Sequence, residues 1–462
     1  MSASQSAMKD YPYWWDTVPA LRLRPEDAGT MTPPVAGGER ATDEHHLGSQ
    51  ESAIEPGSRF DVVIVWAGYT GLAAGRHLAR AGASVLIVDR EQVGWGASSR
   101  NGGQVLTGLK LDPATLVARY GESRARQLFD AASASLERLE SLIAQESIAC
   151  EYRRSGHLQA AYKPAHFEAF RREQALLSRV FHHRVELVSR GDQRSELGSD
   201  AYYGVIVDER SGALNPARYV YGLSLAARRA GAQIASHVAV DRVRRDARGW
   251  TVATTRGEIH SRDVLMATNG YTNGASPALR RRFIPVGSYI VATEPLRPSE
   301  AAAVLPRCRM AFDSKHFLYY FRLTSDSRLL FGGRAEFTRP SVATTRRAAE
   351  ILRNGLAAIF PELADKSIEY AWGGNVAFTR DQLPRAGTLN GSGDGLFFAG
   401  GYCGHGIAMA TCLGELVARR MAGERIDHPL FDDRFAAIPL YTGRPWFLPL
   451  VGAYYRVKDW IQ

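Results

Sequence analysis

The chain has 462 residues, 45% of them hydrophobic and 23% charged, which excludes wholesale disorder; one core stops growing at roughly 250–300 residues, so two connected domains are expected. Its 57 basic and 48 acidic residues leave a net charge of +9, carried mostly by arginines scattered along the chain, so no concentrated basic face points to nucleic acid. Cys150, Cys308, Cys403 and Cys412 lack the spacing of a disulfide framework or a zinc site, no metal centre is expected, and a reducing cytoplasm fits best. No secretory signal is visible, and no apolar run reaches the roughly 20 residues that span a bilayer.

Residues 1–57 open with Tyr11, Tyr13, Trp14 and Trp15 and continue into Pro-, Gly- and acid-rich sequence. They read as an arm that docks through its aromatics, followed by a flexible linker. Residues 61–65 form an apolar, β-branched run suited to a buried parallel strand, 72–81 a helix rich in Ala and Leu, and 84–88 the next strand, which together make a βαβ unit. Helices follow at 114–120, 125–145 and 165–180, with a strand at 156–161 between them. Further on come a helix at 216–230, a strand at 233–240, a hairpin of 240–245 with 250–254, and a buried strand at 264–267. Residues 289–293, 317–323 and 329–332 read as strands, 344–360 as a helix, 396–399 as a strand and 407–421 as a helix. The C-terminal stretch 438–455 contains Trp446, Phe447, Leu448 and Leu450. It is expected to pack on its own domain, with the N-terminal aromatics as one partner; docking on a membrane or another protein is the alternative.

Between the first strand and helix stand Trp66, Ala67, Gly68, Tyr69, Thr70 and Gly71, with Asp89 ending the second strand. In a dinucleotide-binding unit three glycines respectively permit the turn, admit the pyrophosphate and allow close helix–strand packing, and an acidic residue binds the ribose. The second and third glycines are present as Gly68 and Gly71; Trp66 takes the first position. A large indole in that turn is expected to strain the loop or crowd the pyrophosphate. A second Gly-dense loop follows: Gly94, Trp95, Gly96, Ala97, Ser98, Ser99, Arg100, Asn101, Gly102, Gly103 and Gln104.

Taken together, these segments resemble the FAD-dependent amine oxidoreductases of the D-amino-acid oxidase type, in particular γ-glutamylputrescine oxidoreductase-like members. Residues 212–216, 267–272, 372–374 followed by 379–384, and 400–407 resemble further family motifs in the expected order. The resemblance implies an α/β fold with a Rossmann-like FAD-binding domain (58–110, 205–280 and 370–425), an inserted α+β substrate domain (111–204 and 281–369) and a tail at 426–462. It implies FAD contacts at Gly68, Tyr69, Thr70, Gly71, Asp89, Arg90, Ser98, Ser99, Arg100, Asn101, Gly102, Gly103, Gln104, Val238, Gly270, Gly374, Gly404, His405, Gly406 and Ile407. Gly374 stands where covalently flavinylated relatives carry Cys, so non-covalent FAD is expected.

The implied reaction is oxidation of the C–N bond of an amine or amino acid, γ-glutamylated polyamine leading, by hydride transfer to flavin N5 and then imine hydrolysis. Oxygen or another acceptor would take the electrons. His405 is the candidate cofactor or substrate contact. Tyr320 and Arg322 are candidates to cap the site, Arg322 by holding a substrate carboxylate; ordinary sheet packing is the equal alternative. His182 and His183 read as solvated. A relative disabled by Trp66, and a dehydrogenase passing electrons to a non-oxygen acceptor, stay open as rivals.

Overall fold

The computed structural model describes residues 8–21, 52, 54–333, 340–389, 391 and 393–461. The buried apolar run Val62–Val65 makes the strand Arg59–Val65 the centre of an eight-stranded sheet. It pairs in parallel with Gly257–Met266 on one side and Val85–Val88 on the other. Gln233–Ala235 and Leu396–Gly400 extend the parallel set outward; Arg385–Thr388 closes one edge antiparallel, and the hairpin Val240–Asp246 with Gly249–Thr254 pairs with Gly257–Met266. Val62 and Ile64 face one apolar cluster and Val63 and Val65 another, as expected for a sheet covered on both sides.

The helix Tyr69–Arg80 lies against this sheet, and Gly406–Met421 packs on the helix. Both contacts need glycine for closeness: a Cβ on Gly71 would stand 2.1 Å from the Trp66 carbonyl oxygen, and one on Gly414 2.4 Å from that of Thr70. The long helix Pro113–Gln145, broken by non-helical Gly121, joins the same core, and Arg138 donates two hydrogen bonds to Glu415 at 2.9 and 2.6 Å.

A second eight-stranded sheet runs Ile368–Phe378, Ile284–Pro295, Arg328–Gly333, Tyr319–Leu323, Met310–Asp313, His157–Ala160, Val205–Asp208 and Glu186–Val188. All neighbours are antiparallel except Met310–Asp313 beside His157–Ala160. Its covered face buries Val291, Phe321, Leu329 and Phe331 under the helix Val342–Ile359.

The sheet pairings correct the expected domain ranges in two places. Residues 205–208 and 370–378, expected in the nucleotide domain, are strands of the second sheet. Val205–Asp208 bonds to both Glu186–Val188 and His157–Ala160, and Ile368–Phe378 follows Ile284–Pro295 from Ile284/Phe378 to Thr293/Ile368. The arm docks as expected: Tyr13, Trp14 and Trp15 are buried, and Lys9 bridges the backbone at Tyr370. Residues 22–50 of the expected linker lie outside the described residues. The C-terminal stretch packs Phe447, Leu448 and Val451 beside Val286 of the second sheet, not on the N-terminal aromatics.

Gly414→Ala is therefore expected to force the two helices apart and cost about 1–3 kcal/mol, read as a lowered denaturation midpoint with an unchanged m-value.

Candidate active site

The loop 94–104 is a run of backbone with little regular pairing, so its buried polar groups need partners from elsewhere. They come from both ends of the chain. The Trp14 indole N–H donates to the Asn101 carbonyl at 2.9 Å, that of Trp15 to Ser99 Oγ at 2.8 Å, and that of Trp372 to the Arg100 carbonyl at 2.9 Å. Arg322 Nη1 donates to the carbonyls of Gly103 and Leu214 at 2.8 and 3.0 Å. Within the loop, Ser99 Oγ donates to the Gly94 carbonyl, and the Asn101 amide links the carbonyls of Ala97 and Ser98 to the Gly103 N–H. Arg100 lies between the faces of Trp15 and Trp95, its guanidinium 4.7 and 4.3 Å from their centroids.

This loop forms one wall of a cavity of about 1100 Å³ between the two sheets. Of the expected cofactor contacts, Gly68, Tyr69, Thr70, Ser98, Arg100, Asn101, Gly102, Gln104, Gly374, Gly404, His405, Gly406 and Ile407 line it, as does Tyr320. Tyr320 lies across Gly332 beside Gly102, with its hydroxyl 3.2 Å from Ser288 Oγ. The helix Gly406–Met421 begins at the cavity without a side-chain cap, which leaves its positive end facing the space.

Several expected residues stand apart from this cavity. Arg322 does not reach the cavity: it is buried against backbone carbonyls and the face of Trp14, and burial lowers its pKa to about 10, so it has no free edge for a substrate carboxylate. Ser99 and Gly103 support the loop from behind, and Gly71 and Gly270 are packing positions. Asp89, Arg90 and Val238 also lie outside the cavity. Both Asp89 oxygens accept backbone N–H groups, from Ala67 at 2.8 Å and Glu91 at 2.9 Å, while burial pushes its carboxyl up to about 7. The Val238 N–H is bonded to the Asp89 carbonyl. His183, expected to be solvated, is buried.

Trp66 stands at that end of the cavity. Its φ of +97° is the backbone conformation for which glycine is the ordinary residue, so the turn holds a glycine-like backbone around a large side chain. The indole stacks on Tyr271 (5.4 Å, 20° between planes), takes the Arg90 guanidinium on its face at 5.6 Å, and fills the space beside Gly96, where a Cβ would lie 3.0 Å from its Nε1.

Sequence reasoning missed the wall built by His157 and Asp208 of the second sheet, the loop after Val105, and the helix Pro164–Phe181 with the residues that follow it. His157, Thr107, His183, Asp208, Lys110 and Glu173 all face the cavity. His157 Nδ1 is 2.7 Å from Ser211 Oγ, its ring stacks on Phe312, and Thr107 links Ser211 to Asp208. His183 Nε2 lies 2.6 Å from Asp208 Oδ2. Burial alone would raise Asp208, but hydrogen bonds from His183 and Thr107 and the charge of His157 hold it at about 2. Burial lowers His157 below its ordinary value, and lowers His405 to about 3 with help from Lys110 and His157. Burial, then repulsion from Asp112, pushes Glu173 up to about 7.

Among the described residues, four buried polar atoms on cavity residues have no hydrogen-bond partner: Gln104 Nε2, His183 Nδ1, Asn375 Oδ1 and His405 Nδ1. Such a set suits a polar, planar group with alternating donors and acceptors, which is the edge of an isoalloxazine ring. The ring end of FAD thus fits the residues present, and Trp66 lines the cavity at the turn whose next residue, Ala67, bonds Asp89.

Comparisons with known proteins agree with this geometry. A family described as FAD dependent oxidoreductase (DAO) matches residues 61–420. γ-Glutamylputrescine oxidoreductase of Escherichia coli K12 is 30% identical over 406 residues, 86% of this chain and 92% of that protein. Probable oxidoreductase OrdL of Rhizobium meliloti is 32% identical over 412 residues, 88% and 94% of the two chains. Among solved structures, glycine oxidase from Geobacillus kaustophilus shares the fold with a TM-score of 0.70 at 21% identity, covering 83% of this chain and 99% of that one.

Two outcomes follow. Trp66→Gly should tighten FAD binding at least about tenfold in a flavin-fluorescence titration, because it removes the indole from the cavity wall without needing a new backbone conformation. Trp14→Phe keeps the ring but orphans the Asn101 carbonyl; it should cost about 1–3 kcal/mol in thermal or denaturant unfolding and weaken FAD retention on desalting.

Proposed function

We propose that this chain, which belongs to the DAO family of FAD-dependent oxidoreductases, oxidises the C–N bond of an amine or amino acid, with a γ-glutamylated polyamine as the first substrate to try. The observation that carries this reading is the single cavity joining the Gly102–Gln104 loop and the open N-terminus of Gly406–Met421 to the polar wall of the second sheet.

When bound, FAD supplies a two-electron acceptor for the hydride on the carbon beside nitrogen. The residues of the chain prepare the amine for that event. An ammonium group has no lone pair to assist C–H cleavage, so it must shed a proton. His157 is suited to take it: burial favours its neutral form at pH 7, and a proton on Nδ1 directed to Ser211 leaves Nε2 as the acceptor. Asp208 and His183 behind Ser211 hold the imidazole's support in place. Tyr320, tied to Ser288, flanks the same space, and Lys110 and Glu173 add polar groups to its wall. The helix N-terminus at Gly406 favours negative charge at the ring end. Hydrolysis of the imine needs only water admitted to the cavity.

The test begins with the visible spectrum of protein incubated with FAD, followed by anaerobic addition of amines. Bleaching of the bound flavin by γ-glutamylputrescine or another amine supports the reading; a flavin-loaded protein that no amine or amino acid bleaches overturns it. Peroxide yield under air, against turnover with an artificial acceptor, then separates oxidase from dehydrogenase.

His157→Gln should slow amine-driven flavin bleaching by about a hundredfold or more while leaving FAD binding intact. The sign of the pH dependence follows from the lowered His157 pKa. The base is neutral throughout the neutral range, so the wild-type rate falls only on the acid side as the imidazole protonates. That acid limb should be absent in the variant.

A further inference from the structure

Among the described residues, the most exposed large apolar side chains gather at one place, while Val342 and Ile351 are exposed on a separate helix. Leu440 is 97% exposed, Trp446 73%, Leu450 67% and Tyr454 62%. Leu450 and Tyr454, four residues apart in the helix Leu448–Ile461, share one face, and Trp446 stands in the turn that leads into it. The opposite face is occupied: Leu448 is buried with Val286, and Phe447 and Val451 pack beside them and line the cavity. The exposed stripe is therefore not the unfilled half of a core contact.

Its surroundings are cationic. Arg444 and Arg281 are exposed, the Arg281 carbonyl accepts the Ile438 N–H at 3.0 Å, and Arg280 Nε contacts the Gly443 carbonyl at 3.4 Å, so the Arg280–Arg282 cluster adjoins the stripe. No aspartate or glutamate occurs between Asp433 and Asp459. An aromatic and aliphatic face rimmed by arginines, with no acid in the segment, matches a headgroup interface: Trp and Tyr favour that depth and Arg favours anionic lipid. A second copy of the chain is a poorer match, since pairing this face with itself sets arginine against arginine with no carboxylate in the segment to neutralise them.

We propose that this C-terminal face docks in the plane of an anionic lipid surface, with Trp446, Leu450 and Tyr454 entering the interface and Arg281 and Arg444 meeting the headgroups. No helix among the described residues is long and apolar enough to cross a membrane, so the attachment is peripheral. Because Phe447, Leu448 and Val451 form the other side of the same segment, docking sets one wall of the cavity against the lipid.

The test is co-sedimentation of the full chain with vesicles of phosphatidylglycerol and, separately, of phosphatidylcholine, with sedimentation velocity of the lipid-free protein alongside. Binding is expected to phosphatidylglycerol, weakened by added salt. Trp446→Ser and Leu450→Ser should each reduce it about tenfold with the melting temperature unchanged. Arg281→Gln and Arg444→Gln should each cost about fivefold on phosphatidylglycerol only. Failure to bind phosphatidylglycerol at low salt overturns the proposal. So does binding unaffected by the four substitutions, or a lipid-free dimer that Trp446→Ser dissolves. None of these readouts depends on amine oxidation.

Discussion

The site depends on how the carbonyls of residues 99–103 are satisfied. Bonds within the loop do not reach the carbonyls of Arg100, Asn101 and Gly103, and a buried carbonyl left alone costs about 1–3 kcal/mol. Indole N–H groups of Trp14 and Trp372 and the guanidinium of Arg322 answer three successive demands, and Trp15 holds the Ser99 hydroxyl between them. Indole is suited to the task because it brings one donor on a large apolar body, so the hydrogen bond is made inside packed surroundings. The inner face of the loop is left free to line the cavity, while its outer face is fixed.

That arrangement also explains the division of labour between the sheets. The parallel sheet positions the Gly68 turn and the helix Gly406–Met421. The antiparallel sheet sends Ile368–Phe378 across, so that Trp372 clamps the loop while Gly374 and Asn375 face the cavity. Neither sheet builds the site alone. Trp66 sits where the two meet, stacked on Tyr271 whose hydroxyl accepts the Asn375 N–H. Its indole thus performs part of the bridging that a glycine would leave to the cofactor.

The central βαβ unit was legible because burial on both faces demands an unbroken apolar run at 62–65 and a small-residue helix after it. The 94–104 loop was legible because its glycines and polar residues have no other use at such density. Val205–Asp208, Met310–Asp313 and Ile368–Phe378 were harder: they are short or of mixed polarity, and their place is fixed by partners distant in sequence. Arg322 misled for a similar reason. Strand alternation gives the face of a side chain but not the carbonyls waiting at its end. The wall of His157, His183 and Asp208 comes from three separate segments with no shared spacing, so only the register of the second sheet unites them.

The docked arm has a consequence for how the protein is made. Lys9 contacts Tyr370, 361 residues later, and Trp14 and Trp15 close the loop at 99–101. At about 5–20 residues per second, the first aromatic residues to leave the ribosome wait about 20–70 s for the strand that holds them. The parallel sheet likewise waits for Leu396–Gly400, which pairs with Gly257–Met266. Assembly of the site is therefore a late, largely post-translational event, and the nascent chain carries an exposed Tyr-Trp-Trp cluster through most of its synthesis.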